Sequence, residues 1–203
     1  MIPNALRALR RLQVVVALAG ATFTAQAALY EAGTGPDTSY LILESPNIGL
    51  REYAVHYTYD PAVPMGSYDL LKIVEAAEPR FSILNGGSEE NAYIASITWD
   101  GVTEAGNNSP PYTPYWSQWV AGGQAGAEFD FPWGPAPVPV PGDSWSYGSG
   151  ISAPYRIIEP GSNDALVYGD GSAPSLAPTP EPGVLLLAGL ALPALLLHRP
   201  RRS

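Results

Sequence analysis

The sequence predicts an α+β domain, rich in strands and built around one main helix, between an N-terminal export signal and a C-terminal apolar segment. Three observations predict it. Short alternating or apolar runs recur from Tyr40 to Tyr168 with glycine and proline between them, the stretch from Ser67 to Glu78 alone has clear helical spacing, and marked apolar stretches stand near both ends.

Residues 1–27 read as a secretory signal peptide. Arg7, Arg10 and Arg11 form the basic start, Leu12 to Phe23 the apolar centre, and Ala25-Gln26-Ala27 an A-x-A cleavage site before Ala28. The alternative is an uncleaved N-terminal anchor. The exported domain then covers 28–169.

Within it, Tyr40 to Leu43 is a short apolar strand. Glu52 to Tyr59 alternates, so Tyr53, Val55, Tyr57 and Tyr59 share one face and Ala54, His56 and Thr58 the other, with one face turned to a core. Pro61 and Pro64 end that strand. Ser67 opens a helix as its cap, Asp69 complements the positive end, Leu70, Leu71, Val74 and Ala77 form the buried stripe, and Pro79 stops it. Phe81 to Leu84 and Ala92 to Trp99 are strands, with turns at Asn85-Gly86-Gly87 and Asp100-Gly101. Tyr115 to Val120 is an aromatic strand. Residues 122–150 form a Gly, Pro and aromatic insertion, in which Pro135, Pro137, Pro139 and Pro141 forbid a central strand. Trp145 to Tyr147, Tyr155 to Ile158 and Ala165 to Tyr168 are closing strands, and 170–179 reads as a linker.

The formal net charge is −9, and outside the two ends Arg51, Lys72, Arg80 and Arg156 are the only Lys or Arg residues. Nucleic acid is excluded as a partner, because phosphate contacts need clustered cations. With no cysteine there are no disulfides, thiol nucleophiles or Cys-ligated zinc, and the domain holds itself by core packing alone.

Candidate chemistry is sparse. His56 is the only histidine before the tail, so a Ser-His-Asp site has to use it and a zinc site finds no second imidazole. The carboxylates are dispersed, which gives no spacing argument for glycoside hydrolysis. Asn163-Asp164 and Asp170-Gly171, read as loops, are the best oxygen ligands for calcium, yet no D-x-D-x-D-G loop exists. No catalytic residue, metal site or cofactor is assigned. The aromatics are the stronger signal: Tyr115, Trp116, Trp119 and Trp133 are candidates to stack on a sugar, with Trp116 and Trp119 on opposite faces of their strand. Core packing is the competing account for most of them.

The tail, 180–203, is the most specific stretch. Pro180-Glu181-Pro182 precedes an apolar run, 183–197, and then Arg199, Arg201 and Arg202. As a helix the run reaches roughly 22 Å, short of a usual span unless flanking residues and snorkelling arginines extend it. The arginines stay on the cytoplasmic side and leave the acidic bulk outside. A plain single-span anchor and a buried helix are the alternatives. Motif, apolar helix and basic end, in that order, resemble the PEP-CTERM sorting signal of exopolysaccharide-producing Gram-negative bacteria. The resemblance implies that a membrane-embedded exosortase recognises and processes the tail. It also implies transient anchoring in the inner membrane, followed by delivery to the cell surface or the extracellular polysaccharide matrix.

Gly66 to Lys72, Tyr93 to Gly101, Tyr115 to Val120 and Gly161 to Tyr168 are similar, in that order, to the DUF4430 or transcobalamin C-terminal-like domain, which implies a β-grasp-like scaffold. The Pro-rich insertion departs from that pattern, and nothing marks a corrinoid contact. The expected function is therefore a non-catalytic exported protein sorted to the envelope or matrix. The alternatives are a carbohydrate- or matrix-binding module that contacts exopolysaccharide through its aromatics, and a secreted hydrolase that uses His56.

Overall fold

The computed structural model describes residues 29–86, 93–107, 109–126, 137–148 and 150–179. The signal peptide, with Ala25 and Ala27, and the tail, with Pro180, Glu181, Pro182 and the three arginines, lie outside the described residues. So does Trp133.

The chain is β-rich with one α-helix among the described residues. Strands β1 (Leu29–Gly33), β2 (Asp37–Ser45) and β3 (Gly49–Tyr57) are followed by helix α1 (Ser67–Ala77). Strands β4 (Phe81–Asn85), β5 (Ile94–Trp99) and β6 (Val102–Ala105) make a small antiparallel sheet. The remaining strands are β7 (Tyr115–Ala121), β8 (Gln124–Ala125), β9 (Val138–Pro139), β10 (Ser146–Tyr147), β11 (Arg156–Ile157) and β12 (Asn163–Gly169). The main sheet has the order β1-β3-β2-β12-β7-β10, and a third sheet the order β11-β8-β9. The last strand, β12, lies in the middle, parallel to β2 and antiparallel to β7.

Alternation sorts the side chains of the main sheet onto two faces. Leu41, Leu43, Tyr53, Val55, Tyr57, Trp116 and Leu166 point into one core with Leu70, Leu71 and Val74 of α1 and Phe81, Ile97 and Trp99 of the small sheet. Trp99 ties the layers together: the Arg51 guanidinium lies 3.8 Å from its ring centroid, that of Arg80 lies 4.8 Å away, and Phe81 and Tyr30 pack at its edges. Arg80 is held in turn by Glu78 through two hydrogen bonds of 2.9 Å.

Two expectations change here. The sheet does not have one wet face, since Ile42, Ala54 and Ala165 on the opposite side are buried as well. Nor is Ser67 the helix cap. Gly66 is, because a Cβ there would meet the Ile151 carbonyl at 2.5 Å, and its N–H donates to Asp69 Oδ2 at 2.8 Å.

Ser67 is used elsewhere. Its hydroxyl donates to Asp164 Oδ1 at 2.5 Å and accepts from Gln118 Nε2 at 2.7 Å. Asp164, 1% exposed, also receives Arg156 Nε at 3.1 Å and Nη2 at 2.7 Å, while Arg156 itself is fully buried. Arg156 Nη1 donates to the Gly122 carbonyl at 2.6 Å. Gly123, with φ +64°, lets the chain pass this close: a Cβ would stand 2.6 Å from the Ile157 carbonyl and 3.0 Å from Nη1. So the core is not held by apolar packing alone.

Arg156→Met strands the Asp164 charge and is expected to lower stability by roughly 3–5 kcal/mol. Arg156→Met with Asp164→Leu recovers part of that loss, and urea unfolding midpoints of the two variants measure the difference.

Candidate functional site

The second face of the main sheet carries the features that bear on function. β12 ends at Gly169, and residues 170–179 turn back as an extended strap. Asp170 Oδ1 starts the turn by accepting from the Ser172 backbone N–H at 3.1 Å and hydroxyl at 2.6 Å. The Ser175 N–H then donates to Glu44 Oε2 at 2.8 Å, and Trp145 Nε1 donates to the Leu176 carbonyl at 2.7 Å. At the end, the Thr179 N–H donates to Asn163 Oδ1 at 2.8 Å, Asn163 Nδ2 to the Thr179 carbonyl at 3.1 Å, and the Thr179 hydroxyl to Glu52 Oε1 at 2.7 Å. The stretch expected to be a linker is thus docked on the sheet.

Asn163 and Asp164 therefore do not form a loop that offers oxygens to calcium. They start β12, nearly fully buried, one committed to the strap and the other to Arg156. Asp170 is taken by Ser172. No group of three or more His, Cys, Asp and Glu side chains suited to a metal occurs among the described residues.

Of the aromatic candidates, the structure brings only some together. Trp116 is 8% exposed, packs on Tyr168 with centroids 5.1 Å apart, and donates from Nε1 to the Glu104 carbonyl at 3.0 Å. It belongs to the core and is not available for stacking. Trp119 lies on the opposite face, as alternation requires, edge-on to Tyr147 with centroids 5.2 Å apart. Tyr147 is 38% exposed, and half-buried Tyr115 stands beside it, hydroxyl to hydroxyl at 3.5 Å. An apolar groove of 400 Å³ opens next to this edge, lined by Val120, Ala125, Val138, Val140, Ser146 and Tyr147. Rings beside an apolar groove suit the flat C–H face of a sugar.

His56 lies on the same face at the far edge. Thr38 Oγ1 is 3.0 Å from its Nδ1 and Glu31 Oε2 is 2.5 Å from its Nε2, a hydroxyl, imidazole and carboxylate in sequence. A groove of 580 Å³ adjoins it, lined by Gly33, His56, Thr58, Met65, Ile73 and Ala77. The order imitates a hydrolase triad, but the acid that should be buried is here 65% exposed, where water screens its charge.

Nothing in the sequence marks Thr38 and Glu31 as neighbours of His56, since cross-strand register alone joins them. Arg156 does carry a signal, a lone cation inside the run Arg156-Ile-Ile158, because an arginine in an apolar strand is paired when buried.

Compared with family models, curated proteins and solved structures, the chain matches none.

Tyr57 lines the His56 groove while its phenol points inward to the Ser39 hydroxyl at 2.9 Å. Burial, with Asp37 and Asp164 adding repulsion, pushes that phenol from 10.0 up to about 12, against the pull of the Ser39 hydrogen bond. The raised value means that this phenol's contribution to stability is level below about pH 10 and falls between about 10 and 12, as the unfolded chain ionises first. Tyr57→Phe is expected to remove of order 2 kcal/mol of that alkaline loss, measured by urea titrations at pH 9 and 11.5.

Proposed function

We propose that this chain is a non-catalytic exported protein that carries a C-terminal PEP-CTERM sorting signal. An exosortase processes it after transient anchoring in the inner membrane, and it reaches the cell surface or extracellular matrix of a Gram-negative bacterium. One observation carries the proposal: Pro180-Glu181-Pro182, the apolar 183–197 and the arginines Arg199, Arg201 and Arg202 follow directly on Thr179, a residue bonded to Asn163 of the sheet. The acidic balance of the domain and the exposed acid beside His56 support export without catalysis.

The scaffold that goes with this proposal is β-grasp-like. Its support is the β2–β3 hairpin, the helix after it, and the return of β12 between β2 and β7. No helix of the described residues is long and apolar enough to cross a membrane, and the proposed span lies beyond them.

Replacing Arg199, Arg201 and Arg202 with glutamate removes the charge that keeps the terminus on the inner side. The expected result in cell fractions is loss of the shortened extracellular form and accumulation of full-length chain in the membrane. Unchanged sorting overturns the proposal.

A second proposal, matrix binding, rests on the Trp119–Tyr147 pair beside its apolar groove. Trp119→Ala and Tyr147→Ala are each expected to weaken retention on the host's exopolysaccharide about five- to tenfold, at roughly 1 kcal/mol per ring. Trp116→Ala serves as the control that unfolds the domain instead. Retention by the two folded variants equal to that of the parent removes this proposal.

A further inference from the structure

Thr179 carries three of the strap's hydrogen bonds to the sheet. Thr179 is fixed three ways: its N–H and carbonyl are paired with the Asn163 side chain like a rung of a ladder, and its hydroxyl is seated on the buried Glu52 carboxylate. Pro174 and Pro178 stiffen the path between Ser175 and Thr179. With the strap docked, Glu52 is 5% exposed and Asn163 1%, so each meets Thr179 in place of water. The next residue in the chain is Pro180.

We propose that the strap is a latch on processing of the tail, an inference that rests on the sorting-signal proposal above. While Thr179 is docked, there is no slack chain between the folded domain and the Pro180-Glu181-Pro182 motif. The processing enzyme therefore meets a motif whose preceding residue is held on the sheet, and cleavage proceeds through release of 175–179. The reaction breaks one peptide C–N bond in the tail. The carbonyl passes to water or to a nucleophilic acceptor, and the amine leaves with the membrane segment. A docked segment is cut at a rate set by its open population when opening and closing are fast. The latch thus ties release from the membrane to the state of the domain: the sheet holds the substrate it presents.

Thr179→Val keeps the shape and deletes the donor to Glu52, which leaves a buried carboxylate oxygen unpaired. Thr179→Ser keeps the donor. In the native host, pulse-chase labelling of the full-length chain follows conversion to the shortened form. On purified full-length chain, hydrogen exchange at the Ser175 and Thr179 amides reads latch opening directly. Thr179→Val is expected to raise exchange at both amides and the conversion rate together, by roughly three- to tenfold, while Thr179→Ser stays near the parent. Faster exchange with unchanged conversion overturns the latch and leaves the sorting signal standing, and so does unchanged exchange. A parent chain that is never shortened, and that sorts like its Arg199, Arg201 and Arg202 glutamate variant, overturns the sorting proposal itself.

Discussion

The buried pair of Arg156 and Asp164 is the constraint on which the rest of the fold depends. A fully enclosed guanidinium cannot remain without its carboxylate, and the carboxylate in turn has to find donors for each of its oxygens. Those needs reach three parts of the chain at once. Ser67 brings the first turn of α1 down onto Asp164, Gln118 brings β7 to Ser67, and the Gly122 and Gln124 carbonyls bring the β7–β8 turn to Arg156. Apolar burial alone accepts many arrangements of a helix over a sheet. A directional network with these four residues accepts few, so the pair fixes the position of α1 and of the third sheet while the aliphatic side chains supply the driving force.

From that centre the two faces of the main sheet take different tasks. One is closed by α1 and by β4, β5 and β6, with Trp99 between two guanidiniums as the seam. The other has no helix among the described residues. The strap, residues 170–179, crosses it, bonded to Glu44, Glu52, Asn163 and Trp145. A cover made by an extended strap has few internal hydrogen bonds and is held by side chains it borrows from the sheet, so its opening leaves the ladders of the sheet intact. This places an element held by side-chain hydrogen bonds next to the stretch proposed to be handled by another protein.

The aromatic residues show how one strand divides its side chains. Trp116 and Trp119 are three apart, so the pleat sends one to the Glu104 carbonyl in the core and the other to Tyr147 at the sheet edge. The same alternation places His56 away from Tyr57: one imidazole between Thr38 and Glu31 near solvent, one phenol in the interior. Glu31, the carboxylate beside that imidazole, is 65% exposed.

Alternation in Glu52 to Tyr59, the helical stripe Leu70, Leu71, Val74 and the run Tyr115 to Val120 make β3, α1 and β7 legible in the sequence, because each depends on local period and nearby proline. Strand β1 and the two-residue β8 and β9 were not legible, whereas β10 and β11 lie within the predicted strands Trp145 to Tyr147 and Tyr155 to Ile158. Leu29–Gly33 has no strong pattern of its own and pairs with β3 only because the tertiary fold offers it an edge. The sequence by itself determined the acidic balance, the absence of cysteine, the order of the tail motif and which residues of β7 face apart, since these follow from composition and from the two-residue repeat. Only the tertiary structure decided that Asp164 is a buried counter-ion and not a cation ligand, that Trp116 is enclosed, and that residues 170–179 are docked. Each of those depends on a partner distant in sequence, and contact across such a separation is set by packing, not by period.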